Sequence, residues 1–189
     1  RMSRRRVVVT GLGCVSPVGN TVADAWANIL AGKSGIDLIT KFDASNFACR
    51  IAGEVKGFDL ESYISAKDAR AMDSFIHFGI AAAAQAVQDA GLPTGEALDD
   101  ELATRIACVI GSGIGGLPLI ENTHIEYAAR GPRRITPFFV PASIINMVAG
   151  HVSMRFGFKG PNLSVVTACT TGLHCIGEGG RMIEYGDAD

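Results

Sequence analysis

Two kinds of apolar pattern alternate along the chain. Three short runs are continuously apolar and rich in β-branched residues: RRVVVTGLG near the start, RIACVIGSG from Arg105, and PNLSVVTA from Pro161. Runs of this length, stopped by glycine or small polar residues, predict buried strands. Longer stretches with helical signals lie between them. In TVADAWANILAG, Thr21 and Asp24 form a capping pair and Gly32 is the stop. SAKDARAMDSFIHFGIAAAAQAVQDAGLP predicts one long helix, opened by Ser65 and Asp68, filled with alanine and closed by Gly91 and Pro93. Further helices are expected around Leu119 to Arg130, from about Ala142 to Phe156 after the proline-bounded TPFFVP, and over TTGLHCIGEGGRMIEYG. GEALDDE reads as an acidic loop, and residues 33–64 show no long period.

Strands separated by long helices predict an α/β fold with a mixed, largely parallel sheet covered by helices. At 189 residues the chain is expected to form one domain with its own core. It carries no repeat of solenoid period. GDAD follows the last helix where this pattern calls for another strand, so the chain reads as stopping mid-unit.

Charge narrows the possible partners. A net charge of -2 gives no global attraction for nucleic acid or an anionic membrane. Basic charge is local, at Arg4, Arg5 and Arg6 and again at Arg130, Arg133 and Arg134. No apolar run approaches the roughly 18 to 20 residues a bilayer span requires. VVVTGLGCVSPVG is broken by glycines and a proline, and so reads as a first strand and its turn rather than a signal peptide. Arg1 ahead of Met2 reads as an addition to the natural start. The five cysteines are odd in number and lack CxxC spacing, which supports neither zinc nor a disulfide framework and favours a reducing cytoplasm.

Two motifs carry candidate chemistry. Gly111, Gly113 and Gly116 stand in G-x-G-x-x-G spacing after a strand and before a helix, the setting of a dinucleotide site. Such a unit needs a second parallel strand and an acid about 20 residues on. The sequence there, RGPRRITPFFVP, has no acid, and its prolines disfavour a central strand. Arg133 or Arg134 facing a 2′-phosphate leaves an NADP-binding module as a remote alternative. Close packing of backbone is the preferred reading of the glycines.

The second motif is VVTACTTG, where an apolar run stops at Cys169 as a helix begins. A thiol there faces unsatisfied N–H groups and the positive end of the helix dipole, both of which favour a nucleophilic sulfur. Ala168, Thr170, Thr171 and Gly172 keep the corner narrow, as in the nucleophile elbow of hydrolases. A small buried cysteine is the plainer alternative, and it is the reading preferred for Cys108 and Cys175.

GPNLSVVTACTTGLH resembles the active-site signature of the β-ketoacyl-acyl carrier protein synthases, the condensing enzymes of fatty acid synthesis. The similarity extends to VVVTGLGCVSPVGN, MDSFIHFGIAAAAQAVQDAG, GSGIGG, ITPFFVPASIINMVAGHVSMRFGFKGPN and YGDAD, and PFFVP followed by NMVAGH is similar to the synthase II type. The resemblance implies a thiolase-like layered fold of two similar halves, with residues 1–189 forming about the first. It implies that Cys169 accepts the acyl chain, with its own N–H as an oxyanion donor. Ile114 would gate the acyl pocket, and Phe139 and Val140 would line it, partly across a homodimer interface. Lys67, Arg70, Arg133 and Arg134 would dock the acyl- or malonyl-loaded acyl carrier protein; Ala71 departs from a position where a basic residue often continues that patch. Neither a metal nor another cofactor is implied.

The family's two histidines and lysine for condensation follow the cysteine by a long interval and have no match here. His77, His124, His151 and His174 are expected to be packed or surface helix residues. A non-catalytic fragment or a chain-length-factor-like partner subunit is the alternative reading, and the presence of Cys169 counts against it.

Overall fold

The structure, a computed structural model, describes residues 5–189. Arg4 of the first basic cluster and the reading of Arg1 lie outside the described residues. Helix α1 (Val22–Leu30) starts where the Thr21 hydroxyl accepts the amide of Asp24, as the capping pair predicts. The stretch without a visible period contains a short antiparallel ladder, β1 (Ile36–Leu38) against β2 (Ile51–Gly53), with Ile36 opposite Gly53. The single helix expected over 65–93 is instead two, α2 (Ala66–Ala69), capped by Ser65, and α3 (Ser74–Asp89). Asp73 makes the break. Its carboxylate accepts the amide of Ser74 at 2.6 Å, and its own N–H turns away to the carbonyl of Ala142 at 3.2 Å.

The acidic loop also turns helical. Asp99 accepts the amide of Leu102 at 2.7 Å and opens α4 (Asp100–Arg105). Then follow β3 (Cys108–Val109), α5 (Leu117–Arg130), a 3-10 turn at Pro132–Arg134, α6 (Phe139–Ser143), α7 (Met147–Phe156), β4 (Asn162–Leu163), a 3-10 turn at Ala168–Thr170 and α8 (Thr171–Tyr185). The helix expected from Ala142 is therefore interrupted, because Ile144 is extended between α6 and α7. Pro141 is tolerated inside α6 because it falls in the first turn, where a missing N–H leaves no bond unmade.

The chain forms two compact units. One comprises residues 5–9, Ile64–Ile80 and Leu92–Asp189. Its sheet is the parallel pair β3 and β4, with Cys108 opposite Asn162 and Val109 opposite Leu163. Helices α7 and α8 pack on that pair. The α/β class and parallel pairing agree with expectation, but the strands are much shorter than predicted. The run Val7 to Val9 forms no strand, and its side chains are 44%, 63% and 76% exposed. A strand exists only where a ladder partner satisfies its backbone, and residues 5–9 have none among the described residues.

The core of this unit centres on Ile76 of α3 and on Val148 and Ala149 of α7. Gly79 makes the contact possible, since a Cβ there would run into Val148 Cγ1. The first and last of the described residues meet in this unit as well. The Asp189 carboxylate accepts from Arg5 at 2.6 Å and from Arg105 Nε at 3.0 Å, and its N–H donates to the Arg105 carbonyl at 2.9 Å.

The other unit comprises Thr10–Tyr63 and Ala81–Gly91. Its alanine-rich helix face admits backbone directly: a Cβ on Gly11 would meet Ala86 and Ala90, and one on Gly13 would meet Ala82. Gln85 ties this contact down, accepting the Cys14 amide at 3.1 Å and donating to the Asn20 carbonyl at 2.8 Å. No helix among the described residues is long and apolar enough to cross a membrane.

The arginine contacts hold the Asp189 carboxyl below its ordinary 3.8, at about 2, with Arg105 the larger cause and Arg5 the second. A carboxylate depressed in the folded state stabilises fully above its unfolded value and loses that contribution as pH falls toward the folded value. Acid unfolding midpoints should therefore show a loss between about pH 4 and pH 2 that Asp189→Asn removes. An identical acid limb in the variant would assign the loss to other carboxylates.

Candidate active site

The site is built from two backbone segments laid together. After β3, the chain runs through Gly111 to Gly116 into α5; after β4, it runs through Ser164 to Cys169 into α8. Ile110 N–H donates to the Leu163 carbonyl at 3.1 Å, and Ser164 Oγ donates to the Ile110 carbonyl at 2.5 Å, so the segments remain joined past the ladder. Glycine permits the approach. A Cβ on Gly111 would run into the Val165 carbonyl and lie 2.5 Å from Thr171 Cγ2, and one on Gly113 would be 3.6 Å from the Ala168 carbonyl. The glycines pack against protein, and α5 is followed by a 3-10 turn and α6 rather than a strand. The second parallel strand that a dinucleotide unit needs does not follow α5 among the described residues.

The corner turns on Ala168. Its φ of +52° is the single positive value outside glycine among the described residues, a conformation that costs an L-residue about 1–2 kcal/mol. The threonines hold it. Thr171, 4% exposed, accepts the Thr167 amide through Oγ1 at 2.8 Å. The Thr170 hydroxyl and amide both donate to the Thr167 carbonyl, at 2.8 and 3.2 Å. With these bonds closed among its neighbours, Cys169 stands exposed on the turn. Its amide N–H donates to no carbonyl among the described residues, whereas the next amides, of Thr170 and Thr171, are both used.

The remaining predicted residues separate into two groups. Ile114, 71% exposed, is on the glycine loop beside the corner, and the half-buried Phe139 and the exposed Val140 are in the first turn of α6. The loop and α6 are linked, because Gly116 N–H donates to the Ser143 carbonyl at 2.9 Å. Lys67 and Arg70 are exposed on α2 and its end, and Arg133 and Arg134 are exposed in the turn after α5. Glu126 lies 3.4 Å from both Arg130 and Arg134, so part of that charge is already countered.

Three of the histidines have contacts or surroundings of their own. His77 Nε2 is 3.0 Å from the Ala69 carbonyl, and His174 is 3.9 Å from Glu178 one turn along α8. His151 is half-buried on α7, and burial lowers its pKa against an opposing pull from Asp68. It lines a hollow of about 390 Å3 with Ile64, Met72 and Ile80, which includes none of the corner residues. Sequence reasoning missed Asp73, and it read Ala168 only as a small residue that narrows the corner, missing its positive φ. An Asp-Ser pair inside a helical stretch is a start signal that could have revealed the first. No residue-type rule points to the second.

The family pattern described as "Beta-ketoacyl synthase, N-terminal domain" matches residues 4–189. The chain belongs to the β-ketoacyl synthase family. It is 58% identical over 188 residues to the 3-oxoacyl-[acyl-carrier-protein] synthase 2 of Vibrio cholerae, covering 100% of this chain and 44% of that enzyme. Among solved structures, the ishigamide ketosynthase/chain length factor matches with a TM-score of 0.86 and 30% identity, over 99% of this chain and 46% of that one. The AntDE ketosynthase, bound to the hexaketide and in complex with the acyl-carrier protein AntF, matches with a TM-score of 0.78 and 26% identity, over 98% of this chain and 49% of that one. The chain thus spans less than half the length of each of these synthases, within their thiolase-like fold.

Burial separates the five thiols. Cys108 is buried and its thiol is pushed up to about 11 by desolvation, Cys175 is buried, Cys14 is half-buried, and Cys169 and Cys49 are exposed. Iodoacetamide followed by peptide mapping should label Cys169 and Cys49 first and Cys108 and Cys175 only after unfolding. Equal labelling of all five would mean the corner is not formed. Ala168→Val, which puts a β-branched residue at positive φ, should destabilise the chain by about 2 kcal/mol, read from the urea midpoint.

Proposed function

We propose that the chain supplies the acyl-accepting half of a 3-oxoacyl-[acyl-carrier-protein] synthase, with Cys169 as the nucleophile. The observation that carries this reading is the corner itself: an exposed thiol beside its own amide N–H, which donates to no carbonyl among the described residues, at the start of a 15-residue helix. The Cys169 sulfur attacks the carbonyl carbon of an acyl-carrier thioester. The oxyanion formed accepts from the Cys169 N–H, where a preorganised donor is worth most. Collapse expels the carrier thiol, which leaves with the proton, and the acyl group stays on sulfur. Malonyl-carrier thioester then loses carbon dioxide, and its carbanion attacks the Cys169 thioester. This frees the cysteine and yields a 3-oxoacyl carrier two carbons longer. No metal or redox cofactor enters either step.

The groups that promote decarboxylation in the family are two histidines and a lysine with no counterpart in residues 1–189. The isolated half-domain is therefore expected to accept an acyl group and stop. Ile114 gates the pocket and Phe139 and Val140 line it, next to the exposed Phe138 and Ile135, which suit a homodimer contact. The acidic acyl carrier protein docks on Lys67, Arg70, Arg133 and Arg134, where surface charge speeds encounter more than it adds affinity. Unpaired cysteines and the absence of a membrane-length helix among the described residues suit a cytoplasmic enzyme.

Two measurements test this. Incubation with an acyl-carrier thioester, followed by intact mass and peptide mapping, should add one acyl group at Cys169, and Cys169→Ser should add none. An inert wild-type chain would favour the chain-length-factor-like alternative. In the condensing protein, Arg133→Glu with Arg134→Glu should raise KM for the carrier about tenfold at low salt with kcat nearly unchanged. An unchanged KM would remove these arginines from the docking surface.

A further inference from the structure

One carboxylate holds the beginnings of two long helices. Asp73 Oδ1 accepts from the Ser74 amide at 2.6 Å and from the Ser74 hydroxyl at 3.2 Å, and Oδ2 accepts from the Leu119 amide at 3.0 Å. The first pair opens α3, of 16 residues, and the second bond falls in the first turn of α5, of 14 residues. Neither helix has an acidic residue in its own first turn, and the residue before α5, Gly116, has no side chain to cap it. The N–H groups at both starts carry positive partial charge, so one shared anion satisfies donors in both.

The same residue reaches a third element. Asp73 N–H donates to the Ala142 carbonyl at 3.2 Å, and the adjoining Ser143 carbonyl accepts from Gly116 at 2.9 Å. A Cβ on Gly116 would lie 2.9 Å from Asp73 Oδ2 and 2.7 Å from Ser143 Cα, so that glycine admits both neighbours. Ala142 and Ser143 are 2% and 8% exposed, which keeps these bonds out of water. The junction therefore fixes where α5 begins, just after the loop bearing Ile114, and where α6 ends, one turn after Phe139 and Val140.

We infer that Asp73 is a positioning residue for acyl-length selection, setting the loop of Ile114 through α5 and the pair Phe139 and Val140 through α6. The inference rests on the function proposed for Cys169 and Ile114. Asp73 acts through the pocket walls, and it leaves the intrinsic reactivity of Cys169 alone.

The test uses the whole protein as its source cell makes it, with Asp73→Asn and Asp73→Ser. Serine still caps α3 but is too short to reach Leu119, so it retains a folded variant if the asparagine change unfolds the protein. Four quantities are read: Cys169 acylation by octanoyl-carrier and by hexadecanoyl-carrier thioester, Cys169 alkylation by iodoacetamide, and hydrogen exchange of the Leu119 amide. Loss of a charge-assisted bond should speed Leu119 exchange by about tenfold or more and change the octanoyl-to-hexadecanoyl ratio by about tenfold. Alkylation should stay within about twofold of wild type. Faster exchange with an unchanged ratio would overturn the inference, leaving Asp73 a structural cap. A parallel fall in alkylation and both acylations would also overturn it. A wild-type protein that takes no acyl group at Cys169 would remove the proposed function itself, an outcome distinct from either.

Discussion

The contact between the glycine loop and the cysteine corner is the constraint on which the rest of the arrangement depends. Backbone lies on backbone there, with Gly111 over the Val165 carbonyl and the side of Thr171, closer than any side chain would permit. Because the loop is that close, Gly113 lies against Ala168, and the serine hydroxyl of Ser164 can reach across to the Ile110 carbonyl. The motif that superficially suits a pyrophosphate thus serves a different end. Its missing side chains make room for protein.

The corner was legible in the sequence because its chemistry is local. A cysteine among threonines and a glycine ahead of a helix signals a tight turn, and the bonds that close it run between near neighbours. The caps at Thr21 and Asp24 and at Ser65 and Asp68 were legible for the same reason, being bonds between near neighbours. Strand length was not. Val7 to Val9 have the residues of a strand, but hydrogen-bond ladders depend on partners distant in sequence, and periodicity carries no information about those.

The misread helix shows how strong propensity hides a weak signal. Alanines from Ala81 to Ala84 make the whole stretch look continuous, and Asp73 followed by Ser74 passes for a polar position on its surface. Only when Ala142 and Leu119 come near does the aspartate find better partners than solvent, and the helix yields there. Similarly, GEALDDE looks like a loop until Asp99 is seen to cap α4. In both cases an acid that reads as surface charge marks a helix start.

The positive φ at Ala168 has a consequence beyond its energetic cost. Glycine would adopt that angle freely, but it would adopt many others as well, and the amide that follows would swing with it. Alanine has few alternatives, so the bonds from Thr167, Thr170 and Thr171 need to select among only a handful of shapes. The direction in which the Cys169 N–H faces is therefore set by the fold itself.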